Sequence, residues 1–164
     1  MKNSFISIIL DNFLLILGLI SLLLVVDGQF YYAGILILLA GVYAYFQVKV
    51  VNFFDLVPTP NFNDPSPLLV FVISPLILIY LLFSFRAWGF LGILPIFLFS
   101  MAGVHQLKKD HNSNQTKSLF LLPLPIAAVA ITFLTLVLQG SSDLRFIIYA
   151  VVIIFSYLMI RPSK

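Results

Sequence analysis

Two apolar runs, residues 30–48 and 68–85, contain no charged side chain, and the polar segment KVVNFFDLVPTPNFNDPSP (residues 49–67) separates them. That arrangement constrains the chain more than anything else in it. About 20 apolar residues suffice to cross a bilayer as a helix, whereas a helix on the surface of a soluble domain keeps a polar face. Similar uncharged runs recur along the chain, and only 9% of its residues are charged. A soluble domain carries about 25%, so the sequence predicts an integral membrane protein. Every acidic residue is an aspartate, and there is no glutamate. The absence of cysteine excludes disulfides and thiolate metal sites and leaves no sign of the redox compartment. The net charge of +3 is small and scattered, which argues against nucleic acid as a partner.

The expected fold is all-α: a single transmembrane domain, residues 1–164, with six spans at about 12–26, 30–48, 68–85, 87–104, 119–138 and 146–160. Near the N-terminus, Phe5, Ile6, Ile8 and Ile9 are interspersed with Asn3, Ser4 and Ser7. That pattern suits either an interfacial turn or the start of the first span. Asp11-Asn12 reads as the N-cap of that span. A signal peptide is the competing reading, but VVDGQ offers no small-x-small cleavage site, so the span is taken as retained. Asp27-Gly28-Gln29 predicts a tight turn, and Phe30-Tyr31-Tyr32 an aromatic belt at the interface. In the second span Ala33, Gly34, Ala40, Gly41 and Ala44 fall broadly on one side, the pattern of close helix packing. Ser74-Pro75 predicts a kink whose freed carbonyl needs another donor. Pro95 lies inside the fourth span, and Pro123 and Pro125 in the fifth.

Six crossings put both termini and the loops at 49–67 and 105–118 on one side. That side holds Lys2, Lys49, Lys108, Lys109, Lys117, Arg161 and Lys164; the other holds Arg86 and Arg145. The bias predicts that both termini and both long loops are cytoplasmic.

Several segments, taken in order, resemble a known family. DNFLLILGLISLLLVVDGQFYYAGILILLAGVY, VFVISPLILIYLL, FLLPLPIAAVAI and SYLMIRPSK are similar to successive helices of the CDP-alcohol phosphatidyltransferases, within them the bacterial phosphatidylserine synthases. The resemblance covers almost the whole chain and implies a six-helix bundle of the bacterial inner (plasma) membrane, commonly a homodimer, concerned with phospholipid synthesis. The family motif is D-x-x-D-G-x-x-A-R, followed by G and two further aspartates, which hold divalent metal at the CDP pyrophosphate and supply a base. Here Ala44 and Gln47 stand at the first two aspartates, and Val48, Val51 and Asn52 at the glycine, alanine and arginine. Asn63 and Pro67 stand at the last two aspartates, with Asp64 adjacent to the first of them. The family's Arg-x-x-Arg-Phe-Asn becomes Gln106-Leu-Lys-Lys109-Asp-His, and the prolines between 58 and 67 interrupt what is helix in the family. The resemblance therefore implies a relative without its catalytic aspartates, whose second and third helices do not meet as a preformed cup.

The other polar residues suggest no replacement chemistry. Asp55 and Asp64 have proline neighbours and read as turn formers. His105 and His111 lack a third ligand for zinc. There is no Gly-rich phosphate loop and no Ser/His/Asp spacing. Lys108, Lys109 and Lys117 suit topology and anionic headgroups. The sequence thus predicts a non-catalytic membrane protein that binds lipid or a partner membrane protein. Its candidate headgroup contacts are Lys49, Asn52, Asn63, Asp64, Lys108 and Lys109, with no catalytic residue, metal ligand or cofactor. The alternative is a CDP-diacylglycerol-dependent phosphotransferase with an altered site, which would need magnesium or manganese. A transporter or channel subunit is disfavoured because no span shows a clearly polar stripe.

Overall fold

The computed structural model describes residues 2–53, 66–112, 124–139 and 145–160, with side chains from 12–47, 66–107, 124–139 and 145–160. These residues form six helices and no strand: α1 (Lys2–Val26), α2 (Phe30–Phe53), α3 (Ser66–Leu82), α4 (Phe90–Asn112), α5 (Leu124–Val137) and α6 (Arg145–Ile160). A short 3-10 turn, Phe85–Trp88, joins α3 to α4. Windows Phe30–Gln47 and Phe90–Leu107 are long and apolar enough to cross a membrane; the other apolar helical stretches among the described residues are shorter.

Several boundaries differ from the expected ones. α1 begins at Lys2 rather than near residue 12, so Asp11 lies inside the helix and is not its N-cap. Residues 2–10 contain neither proline nor glycine, and helix propagation through them overrides the local capping preference of aspartate. α2 and α4 run past the expected ends at 48 and 104, to Phe53 and Asn112. An apolar run marks where hydrocarbon side chains stop, not where backbone hydrogen bonds stop, and Lys and Gln sustain a helix well. α3 ends at Leu82, before the expected residue 85, because Ser84 turns left-handed (φ 52). The expected start of the fifth span, 119–123, lies outside the described residues.

α1 closes in a Schellman motif. Gly28 has φ 77, its N–H donates to Val25 O (3.1 Å), and Gln29 N–H donates to Leu24 O (2.8 Å). The turn read at 27–29 thus uses glycine where another residue would be strained.

α3 is the central helix, packed against α1, α2, α4 and α5, while α6 packs on α4 and α5. Val70, Phe71, Val72, Leu76 and Ile79 of α3 anchor the main core with Leu14, Ala40, Phe99, Ala102, Leu124, Ala128 and Val152. Val25, Ala33, Ile37 and Leu78 form a smaller cluster where α1, α2 and α3 meet. On α1 the buried positions 14, 18, 21 and 25 make one narrow seam. Close approach depends on glycine. A Cβ at Gly18 would run into Leu69 and Val70, and one at Gly41 would run into Val129 of α5. At Gly34 it would lie 2.6 Å from Leu136 Cδ2. The pairs Gly34–Leu136 and Gly41–Val129 advance by seven residues in opposite senses, which sets α2 and α5 antiparallel in fixed register. The small-residue side of α2 therefore faces its neighbours, with Ala33 and Ala40 fully buried.

The two mid-helix prolines are handled differently. Before Pro75 the helix widens into a π turn, Leu69–Ile73. Ser74 donates to Leu69 O from its backbone N–H and again from Oγ, at 2.9 Å for the latter. Ser74 Oγ also lies 3.4 Å from Gly18 O, which accepts Ser21 Oγ–H at 2.8 Å. The expected kink thus takes the form of a widened turn, which relieves the clash of the proline ring with the carbonyl four residues back. In α4, Pro95 has no N–H to offer Leu91 O, and the Tyr149 hydroxyl of α6 donates to that carbonyl instead (3.0 Å).

Two outcomes test this packing. Gly41→Leu, which must displace Val129, is expected to lower stability in detergent by about 1–3 kcal/mol, whereas Leu39→Ala, on an exposed position, leaves the thermal midpoint nearly unchanged. Equal midpoints would contradict close packing at Gly41. Tyr149→Phe is expected to cost about 1 kcal/mol, and much less in a Pro95→Ala background, where Leu91 O regains a backbone donor. A cycle showing strict additivity would contradict the substitution of hydroxyl for amide.

Candidate functional site

The expected site lies where α2 ends and α3 begins. Gly103 of α4 approaches Val72 and Leu124, so residues after 103 run toward the starts of α3 and α5. The contact of Gly18 with Leu69 and Val70 brings the N-terminal part of α1 toward the same end. The backbone thus carries Lys49 and Asn52 on α2, and Lys108 and Lys109 on α4, to one end of the bundle. Their side chains, and Asn63, Asp64 and Asp55 altogether, lie outside the described residues. Of the motif positions that are described, Ala44 is half-buried and packs on the main core. Gln47 is half-buried, and Pro67 sits in the first turn of α3. α2 and α3 are in contact along the bundle.

A methyl group and one neutral amide occupy positions 44 and 47, which the resemblance sets opposite the family's first pair of carboxylates. Magnesium takes oxygen ligands in near-octahedral geometry and is bound at phosphates through carboxylates. The residues present at these two positions do not fit a carboxylate-held metal. Among the described residues no cluster of three or more His, Asp, Cys or Glu side chains occurs. His105 is exposed, and His111 lies on α4 with its side chain outside the described set.

Beside these positions two polar side chains are buried. Ser66 opens α3 at 1% exposure, and Gln106 lies on α4 at 4%. A buried serine and glutamine at one end of an apolar bundle require hydrogen-bond partners, so this end has a polar interior. The sequence reading passed over Ser66. Its one signal is a serine between two prolines, just before an apolar run. Elsewhere in the bundle, Thr135 Oγ1 donates to Ile131 O and Ser156 Oγ to Val152 O, both at 2.7 Å. These hydroxyls are satisfied within their own helices and need no ligand.

The opposite end is aromatic. Phe85 stacks on Phe83, and its ring centroid lies 5.1 Å from that of Trp88 and 6.0 Å from that of Tyr149; Trp88 is 5.0 Å from Phe146. These contacts lock the α3–α4 turn onto the start of α6.

No protein-family model matches this chain, and no curated protein matches it. The likeness to CDP-alcohol phosphatidyltransferases accordingly rests on the order of the quoted segments.

Proposed function

We propose that the chain is a six-span integral membrane protein with both termini in the cytoplasm, acting by binding anionic phospholipid at its cytoplasmic end and not by transferring a phosphatidyl group. One observation carries the membrane placement. Large apolar side chains are exposed on every helix, among them Val26 (69%), Phe46 (57%), Leu81 (41%), Phe90 (77%), Phe133 (59%) and Phe146 (70%). A water-soluble monomer rarely exposes an apolar patch beyond a few hundred Å², whereas a lipid-facing surface needs one all round.

Helix length supports the same placement where it matters. α1, α2 and α4, of 25, 24 and 23 residues, reach about 35 Å at 1.5 Å per residue, enough for the ~30 Å hydrocarbon layer. α3 is shorter, and most of its length is enclosed by its neighbours. α5 has 14 described residues, and the residues before it, LFLLP (119–123), are apolar too. α6 has 16 residues, and the residue that follows it in the sequence is Arg161.

The case against transfer rests on residue chemistry. Without carboxylates to hold metal, a CDP-linked lipid would bring its pyrophosphate charge uncompensated into a partly dry cleft. Lysines at the rim can attract an anionic headgroup, on the order of 1 kcal/mol each, but cannot assemble that centre. The alternative phosphotransferase needs a metal site built from Asp55 and Asp64.

The purified protein is expected to release no CMP from CDP-diacylglycerol with serine, glycerol phosphate or inositol phosphate, with or without magnesium or manganese. It is expected to bind anionic vesicles, and to bind them more weakly after Lys108→Ala with Lys109→Ala. Magnesium-dependent CMP release that disappears in Asp64→Asn would establish the enzyme instead. Because the chain has no cysteine, single cysteines report its topology cleanly. Ser141→Cys should react with an impermeant maleimide on intact cells, and Ser113→Cys only after permeabilisation. Labelling of both from outside would remove the orientation.

A further inference from the structure

We propose that the turn between α3 and α4 holds the phosphate of an anionic phospholipid in the outer leaflet, with Arg86 as its principal contact. This second lipid site, at the opposite end from the lysine rim, rests on the membrane placement above. Tyr80, Leu81, Ser84, Arg86 and Ala87 line an open surface hollow of about 530 Å³. Its lining has two characters. The guanidinium and the hydroxyls of Ser84 and Tyr80 supply donors, whereas Leu81 and Ala87 supply hydrocarbon. A glycerophospholipid matches both parts, with phosphate on the donors and the first carbons of its chains on Leu81; a free phosphate uses only the first.

The turn is built to hold Arg86 outward. Phe85 is 1% exposed and wedged among Phe83, Trp88 and Tyr149, so its neighbours Ser84 and Arg86 are the residues left at the surface. Gly92 lets α4 pass directly over the Phe85 carbonyl, where any Cβ would collide. Ser84 adopts φ 52, ψ 39, a left-handed conformation that costs a non-glycine residue free energy. Ala87 N–H donates to Ser84 O at 2.9 Å, which fixes the serine beside the arginine. Among the described residues no hydrogen bond or ion pair occupies the Arg86 guanidinium. Its planar fork suits two phosphate oxygens at once. Arg86 is also one of only two cations on the side that the charge bias leaves poor in them, and a headgroup phosphate gives that cation a partner.

The test is native mass spectrometry of the full-length chain in mild detergent, carrying Lys49→Ala, Lys108→Ala and Lys109→Ala to remove the lysines at the opposite end, titrated with phosphatidylglycerol. One lipid is expected to bind, and Arg86→Ala to weaken it about tenfold. Arg86→Lys, which keeps charge but loses the fork, should fall between. Ser84→Gly relieves the left-handed strain, keeps the turn, and should weaken binding about threefold through loss of the hydroxyl. Phosphatidylglycerol affinity unchanged in Arg86→Ala would overturn the proposal. Displacement of the lipid by millimolar inorganic phosphate would overturn it as well, because the site would then belong to the free anion. Release of the chain from membranes by alkaline carbonate would instead refute the membrane placement, so the two failures remain distinguishable.

Discussion

The close approach of α1 to α3 at Gly18 is the contact on which the rest of the bundle depends. Any side chain there would meet Leu69 and Val70, and α3 would be pushed out of the position from which it touches α1, α2, α4 and α5. Cohesion at such a contact comes from dispersion over closely fitted surfaces and from a few hydrogen bonds. Gly18 supplies both. Its missing Cβ admits α3, and its carbonyl receives Ser21 Oγ–H with Ser74 Oγ nearby. Gly34 and Gly41 repeat the fit between α2 and α5 with neutral contacts only.

A low-dielectric interior makes every unpaired backbone carbonyl costly, and the two prolines show two remedies. The π turn before Pro75 reorganises the helix locally, with the hydroxyl of the preceding serine as an added donor. The Tyr149 hydroxyl repairs the loss at Pro95 from another helix and ties α6 to α4. The second remedy has a structural consequence. It places Tyr149 against Phe85 and Trp88, and so the same residue that satisfies α4 also stiffens the α3–α4 turn that presents Arg86.

Much of the fold was legible because its determinants are local. Uncharged runs placed the helices, Asp27-Gly28-Gln29 marked the Schellman turn, and small residues on α2 marked its packing side. Helix ends were less legible, since hydropathy changes at a different residue from backbone hydrogen bonding: α1 starts at Lys2 and α4 continues to Asn112. Contacts between distant residues left no sequence trace. Nothing in the apolar run 146–160 points Tyr149 at Leu91, and nothing near Ser74 points it at Gly18. At the candidate site, the lack of a carboxylate at positions 44 and 47 was readable directly from the sequence. The burial of Ser66 and Gln106 was not, because neither residue type distinguishes a polar interior from a solvated loop.

The central claim is that the apolar exterior of this bundle is solvated by hydrocarbon. It is tested most directly by nitroxide labels placed, one at a time, at Leu39, Phe97, Phe133 and Ile154, all exposed, in protein reconstituted into bilayers. Power-saturation measurements compare collision with oxygen, which concentrates in lipid, and with a water-soluble nickel chelate. The account predicts high oxygen and low nickel accessibility at all four positions, and low accessibility to both at buried Ala128. Nickel accessibility at the four positions equal to that of a label in open water would contradict it.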